Sequence, residues 1–185
     1  MGKDKQGETP LNFDPEGGVI NDKTMGARVL VLGSVGWASI ENELDSTFMT
    51  GGSVILQRMG YSYGRFLGRL TKAMALKSNK KVTPETSWDT LLKASKDEGW
   101  GRLSLNSGDF TLGVVRLILK DCVFCLHDKQ GTMPRCHFVT GVAGGVADEI
   151  TGFNHRVTEG RCVAKGDTLC EIILERVSQP ETPPR

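Results

Sequence analysis

Residues 155–177 read His155-Arg-Val-Thr-Glu159-Gly-Arg-Cys162-Val-Ala-Lys165-Gly-Asp-Thr-Leu-Cys170-Glu-Ile-Ile-Leu-Glu-Arg-Val177. Two β-branched runs, His155 to Val163 and Leu169 to Val177, flank Lys165-Gly166-Asp167, a turn signal that predicts an antiparallel hairpin. A three-residue loop sets Cys162 opposite Cys170, with Cβ atoms about 4.5–5.5 Å apart, so two thiolates there can share one metal ion. Glu159 lies three residues before Cys162 and on a regular strand would face away. Gly160 between them permits a bulge that returns the carboxylate to the same side.

Upstream, Thr132 and Pro134 open a predicted helix whose apolar face is Phe138, Val142, Val146 and Ile150, with Gly152 placed to end it. Cys136 sits near its start, where a helix N-terminus favours thiolate. A closed set of three Cys and one Glu suits tetrahedral structural zinc. Reduced cysteines that pack as small hydrophobes suit the same spacing, so spacing alone leaves both readings open. Cys122 and Cys125 fall in an apolar run, Asp121-Cys-Val-Phe-Cys-Leu126, read as strand, where positions three apart face opposite sides; they are expected in the core. His127, Asp128, His137 and His155 stand singly and read as surface or locally hydrogen-bonded groups.

Further upstream, Gly101 to Leu105 and Phe110 to Cys125 read as a hairpin around Asn106-Ser107-Gly108-Asp109. Arg28 to Leu32 reads as a short strand. Trp37, Ile40, Leu44 and Phe48 then recur at helical spacing, as do Val54, Ile55, Met59, Phe66, Leu67, Leu70 and Met74 between Gly52 and Leu76. Gly60, Gly64 and Gly68 form one stripe on that second helix, where another backbone, a dimer partner or a flat ligand can approach. Glu85 to Ser95 reads as a third helix, with Thr83 and Pro84 as cap and first-turn pair. Helices, strands, helix, strands predicts an α+β fold: an antiparallel sheet packed on a helical layer.

With 23 Lys and Arg against 22 Asp and Glu, the chain lacks the field that gathers nucleic acid or an anionic membrane. Met1 to Pro10 is polar and unlike a secretory signal, and no apolar run approaches the roughly 20 residues that span a bilayer. The expectation is a cytoplasmic protein whose five cysteines stay reduced, as ligands or core residues and not disulfides. Residues 1–27 and 178–185 read as flexible tails around one domain, 28–177. Gly33-Ser-Val-Gly36 lacks the glycine spacing of a dinucleotide site, and Walker, nucleophile-elbow and zincin motifs are missing, which weighs against catalysis.

Cys136-His-Phe-Val-Thr-Gly-Val-Ala-Gly-Gly, Glu159-Gly-Arg-Cys162 and Gly166-Asp-Thr-Leu-Cys170-Glu-Ile together resemble the vinyl-4-reductase domain family, and Gly60-Tyr-Ser-Tyr-Gly64 resembles its glycine-bracketed aromatic segment. That family includes sensor domains of phenol- and xylene-responsive bacterial regulators and a bacteriochlorophyll-biosynthesis protein, and its fold is related to subunits of the TRAPP trafficking complex. The resemblance implies zinc held by Cys136, Glu159, Cys162 and Cys170. It also implies a largely apolar pocket between helices and sheet for a hydrocarbon, a phenolic compound or a tetrapyrrole. By residue type, Tyr63, Trp88, Trp100, Phe110 and Phe138 are the pocket candidates, each equally at home in an ordinary core. The expected function is a stand-alone zinc-containing sensor or carrier domain for an apolar small molecule, working as a homodimer without nucleic acid or membrane. The alternatives are an accessory protein or reductase in tetrapyrrole biosynthesis, and a structural TRAPP-like assembly subunit.

Overall fold

A computed structural model of the chain describes residues 10–23, 26–77, 83–109, 113–128 and 131–177. They fall into two compact units, residues 1–33 and 34–185. In the first, strands β1 (Leu11–Asp14), β2 (Val19–Asp22) and β3 (Ala27–Arg28) form an antiparallel meander. The β1–β2 turn is built by Asp14, whose Oδ1 accepts the Gly17 N–H at 3.0 Å, and by Gly18 at φ 61°. A flexible tail was expected over residues 1–27, and its described part is strand instead. Composition hid two four-residue strands that carry few apolar side chains but flank a Pro-Glu-Gly-Gly turn. Val29 to Leu32 has no assigned strand, so the predicted run from Arg28 contributes only its first residue to β3. The second tail, 178–185, lies outside the described residues.

The second unit runs α1 (Ser34–Phe48), α2 (Thr50–Lys77), α3 (Pro84–Asp97), β4 (Arg102–Asp109), β5 (Val114–Lys120), α4 (His137–Thr151), β6 (His155–Arg161) and β7 (Cys170–Arg176), with 3-10 turns at Val123–Cys125 and Val163–Lys165. The four strands form one antiparallel sheet in the order β4-β5-β7-β6. This is the α+β arrangement that the element order predicted. Thr83 caps α3 by accepting the Thr86 N–H on Oγ1 at 3.3 Å, ahead of Pro84 at the first helical position. Gly152 ends α4 in the left-handed conformation at φ 76°, as Gly does at this place because it has no Cβ to clash. No helix among the described residues is long and apolar enough to cross a membrane.

Helix α4 is buried without interruption from Val139 to Ala147, because α2 packs along one side and β6 and β7 along another. The glycine stripe makes the α2 contact. A Cβ on Gly60 would come within 2.9 Å of the Phe138 carbonyl carbon and closer still to its oxygen, and one on Gly64 would do the same at Val142. From the other side, Gly141 and Gly145 face the backbone at Gln57 and Tyr61. The two helices therefore meet backbone to backbone, and the stripe serves intramolecular packing.

Two strand boundaries depart from expectation. Asn106 to Asp109 belongs to β4, with a bulge between Leu105 and Ser107. A Cβ on Gly108 would sit 2.9 Å from the Val115 Cα, so this glycine serves strand approach, and the residues that follow Asp109 make the connection. Strand β5 stops at Lys120, five residues short of its predicted end, and Asp121 turns the chain with φ 54°. That early stop decides the geometry of the site below.

Candidate metal centre

The hairpin places its ligands as the spacing suggested. Glu159 lies in β6, the register shifts between Glu159 and Arg161, and Cys162 follows the strand directly. Cys162 leads into a tight turn: its carbonyl accepts the N–H groups of Lys165 at 2.9 Å and Asp167 at 3.2 Å, Asp167 Oδ2 accepts the Cys162 N–H at 2.8 Å, and Gly166 closes it at φ 93°. Cys170 opens β7, and Cys136 is the N-cap residue of α4. All three cysteines are fully buried. Their sulfurs and a Glu159 carboxylate oxygen lie within 4.8 Å of one another.

Cys122 and Cys125 join them, an outcome that a continuous strand through this segment would preclude. Once β5 ends at Lys120, Cys122 to Cys125 forms a 3-10 turn, in which residues three apart are eclipsed and not opposed. The Cys125 Sγ lies 3.4 Å from that of Cys136, 3.4 Å from Cys162 and 3.6 Å from Cys170. Cys122 Sγ is 3.5 Å from Cys136. Cys122, Cys125, Cys136 and Cys170 thus make a second group of donors within 4.8 Å of each other. Both are buried, as core residues are. The Cys-x-x-Cys spacing was the available signal, and Lys120-Asp121 before it was the cue for a strand end.

Five sulfurs and a carboxylate converging in a dry pocket are a poor arrangement for neutral thiols and a good one for a cation. Both Glu159 oxygens are buried without a hydrogen-bond partner among the described residues. Burial, followed by the adjacent Cys162, pushes this carboxyl up to about 9. Thiols in contact cannot all ionise: Cys125 and Cys136 are pushed up, first by Cys122, while contact with the Cys125 thiol brings Cys162 down to about 6. Cys170 also shifts down, with Cys122 as the first cause. Backbone N–H groups support the sulfurs, from Arg135 to Cys162 and from Val163 to Cys170, both at 3.4 Å. A bound cation would hold these donors deprotonated, and the set fits a soft or borderline ion.

The remaining histidines and Asp128 stand apart from this cluster. His127 Nε2 meets Ser34 Oγ at 3.0 Å, His155 Nδ1 meets Asp148 Oδ1 at 2.8 Å, and burial lowers the pKa of His137. Asp128 binds Arg135, whose guanidinium also bridges to Asp45 on α1. Arg135 therefore ties the segment before Cys136 to the first helix.

An aromatic cluster adjoins the centre. Phe138 contacts Trp37 at a centroid distance of 5.1 Å, Phe124 at 5.9 Å, Trp100 at 6.0 Å and Tyr63 at 6.1 Å. Trp37 meets Phe124 edge-on at 5.3 Å, and Tyr63 stacks with Phe66 at 6.2 Å. Of the predicted pocket residues, Tyr63, Trp100 and Phe138 come together here. Trp88 is buried on α3, and Phe110 lies outside the described residues. Trp37, Phe66 and Phe124 are additional members that sequence reading assigned to helix faces or a strand. Phe124 immediately precedes Cys125, and Phe138 follows Cys136 by two residues, so both clusters hang on the same two backbone segments.

Glu41, one turn after Trp37, is 3% exposed. Burial outweighs its Trp37 contact and the nearby Arg135, and raises its carboxyl from 4.5 to about 7. Because the folded value is the higher one, its stabilising effect is complete below about 4.5 and is lost as pH rises through 7. We expect Glu41→Gln to remove about 2–3 kcal/mol of stability loss between pH 4.5 and 8, as measured by urea unfolding. An unchanged pH profile would contradict this.

A cavity of about 580 Å³ opens elsewhere, between α2, α4 and β6, lined by Gln57, Arg58, Tyr61, Ser62, Arg65, Arg69, Thr140, Gly141, Gly144, His155 and Val157. It contains none of the predicted pocket residues and is lined largely by polar groups. Arg65, Arg69 and Lys72 surround Glu149 at its border, and Tyr61 donates its hydroxyl to Asp148 at 2.8 Å.

The family model of the vinyl-4-reductase domain matches residues 115–176. An uncharacterised protein of Methanocaldococcus jannaschii is 32% identical over 59 residues, 32% of this chain and 34% of that protein; the match spans about a third of this curated relative. Among solved structures, the phenol-responsive sensory domain of the transcription activator PoxR, crystallised with phenol, has a TM-score of 0.77 at 21% identity, covering 93% of this chain and 87% of that one. A trafficking protein particle complex subunit 3 from Naegleria fowleri, covalently bound to palmitic acid, has a TM-score of 0.60 at 13% identity over 78% and 93%. A vinyl-4-reductase family protein from Methanocaldococcus jannaschii has a TM-score of 0.50 at 21% identity over 66% and 68%. These likenesses show the fold, and through residues 115–176, which hold β5 to β7, α4 and all five cysteines, the chain matches the vinyl-4-reductase domain family that its cysteine spacing resembled.

Proposed function

We propose that this chain is a small-molecule-binding domain of the sensor or carrier type. Zinc clamps its last hairpin to α4, and the aromatic cluster receives an apolar aromatic ligand. The observation that carries this reading is the shared scaffold: Phe124 and Phe138 extend from the segments that bear Cys125 and Cys136. An ion holding those segments sets the positions of both rings, and a ligand that parts the rings pulls on the ion's donors. The likeness to a phenol-binding sensory domain supports the ligand class. The closed donor set leaves zinc a structural task, which agrees with a binding role and not a catalytic one. Reduced thiols of this kind suit the cytoplasm.

Trp37 and Trp100 flank Phe138, so their fluorescence reports on the cluster directly. Titration with phenols and with porphyrins is expected to quench it saturably for one class, and Trp100→Ala should weaken that binding at least tenfold. Absence of binding across both classes would sink the proposal.

A second reading has its own support. Arg58, Arg65 and Arg69 line the polar cavity, and a tetrapyrrole carries carboxylates that such guanidinium groups recognise. A role in tetrapyrrole biosynthesis therefore predicts that porphyrin binding weakens on Arg65→Ala, while phenol binding does not. A structural assembly role rests on the TRAPP-subunit likeness and on exposed apolar side chains of α1 and α2, including Ile40, Phe48, Val54 and Met59. It predicts a homodimer in sedimentation and no exchangeable ligand.

A further inference from the structure

We propose that Cys125 is a metal ligand, and that the ion sits in an all-sulfur tetrad of Cys125, Cys136, Cys162 and Cys170, with Glu159 outside the first coordination sphere. This rests on the metal-centre part of the function proposed above and departs from the donor set that the family resemblance implies. A tetrahedral ion about 2.3 Å from each sulfur needs sulfurs about 3.8 Å apart. Cys125 Sγ lies 3.4, 3.4 and 3.6 Å from the other three, which are themselves within 4.8 Å of one another. Cys125 therefore caps the triangle of Cys136, Cys162 and Cys170, and four sulfurs surround one point.

Glu159 approaches the same triangle, so one ion has two candidates for its fourth ligand. Thiolate is the stronger claimant. Its softness matches that of the other three donors, and the 3-10 turn fixes it by the Cys125 N–H bond to the Cys122 carbonyl at 3.3 Å. The distances also argue against two ions that share Cys136 and Cys170. Cys125 and Cys162 would then be terminal ligands on different metals and would have to stand well apart, whereas their sulfurs are 3.4 Å from each other. The tetrad has a consequence for the aromatic cluster. Phe124 is covalently next to a ligand, so the ion anchors the ring that contacts Trp37, Trp100 and Phe138.

The test is X-ray absorption fine structure on the zinc-loaded full chain, with zinc content by elemental analysis. The expected shell is four sulfurs with one ion per chain. Glu159→Gln should keep both the ion and the four sulfurs, and Cys125→Ser should replace one sulfur by a lighter donor. A wild-type shell of three sulfurs and one oxygen would overturn the tetrad while leaving the metal centre intact, as would loss of the ion in Glu159→Gln. A chain that takes up no zinc would overturn the tetrad and the metal centre together. Should Cys125→Ser fail to fold, the wild-type and Glu159→Gln spectra decide the matter alone.

Discussion

Cys170→Ala is expected to lose its zinc and most of its folding stability at once. Cys170 belongs to both groups of metal donors and pairs across the sheet with Leu119 of β5, so it joins the ion to the central strands. Structural zinc contributes an apparent 10–16 kcal/mol in small metal-folded domains, against a total stability of about 5–15 kcal/mol for an ordinary protein. A fraction of that lost with one ligand is enough to unfold the last hairpin, or the whole second unit, at 37 °C. Even a loss of about 3 kcal/mol would lower Tm by roughly 6–12 °C in a chain of this size. Elemental analysis and thermal unfolding, with and without a chelator, provide the check. The chelator should reproduce the loss in the native protein and add little in the variant. Stoichiometric zinc in Cys170→Ala would refute the assignment.

Gly64→Ala is the second large effect. The new methyl would fall on the Val142 backbone, with the carbonyl carbon and Cα both at 2.9 Å. Backbone cannot rotate away as a flexible side chain can, so α2 and α4 must separate. Overpacking typically costs about 1–3 kcal/mol and more where the neighbour cannot yield; here the upper end or beyond is expected. Gly33→Ala, with nothing within 4 Å of its Cβ position, is the control and should change stability by less than about 0.5 kcal/mol. Denaturant midpoints compare the two. Equal midpoints would mean that the close approach of α2 and α4 is not tightly held. Because Phe138 lies on the same contact, Gly60→Ala should also disturb the fluorescence of the aromatic cluster.

Much of this arrangement is legible in the residues alone. The periodicity of Val54 to Met74 identifies α2, the turn at Lys165-Gly166-Asp167 identifies the last hairpin, and Gly160 marks the bulge that appears as a register shift. Each is a local signal, carried by a few adjacent residues. The failures have a common cause as well. Asn106-Ser-Gly-Asp109 has the chemistry of a turn, yet the neighbouring strand at Val115 recruits it into β4. Asp121 ends β5 with a positive φ that Asp tolerates but does not announce. The arginine-lined cavity draws on α2, α4 and β6 together, and no short motif records such a convergence.

The cysteines show where the division falls. Sequence by itself determined that Cys162 and Cys170 would face each other across a hairpin, with Glu159 turned toward them, because strand pairing and a glycine bulge are set by neighbours a few residues away. Only the tertiary structure decided that Cys122 and Cys125 belong with them. Their orientation depends on where β5 ends, and the pocket that they enter is made by α4 and by a hairpin more than 30 residues further along. Side-chain convergence over that span is a property of packing, which no single segment encodes.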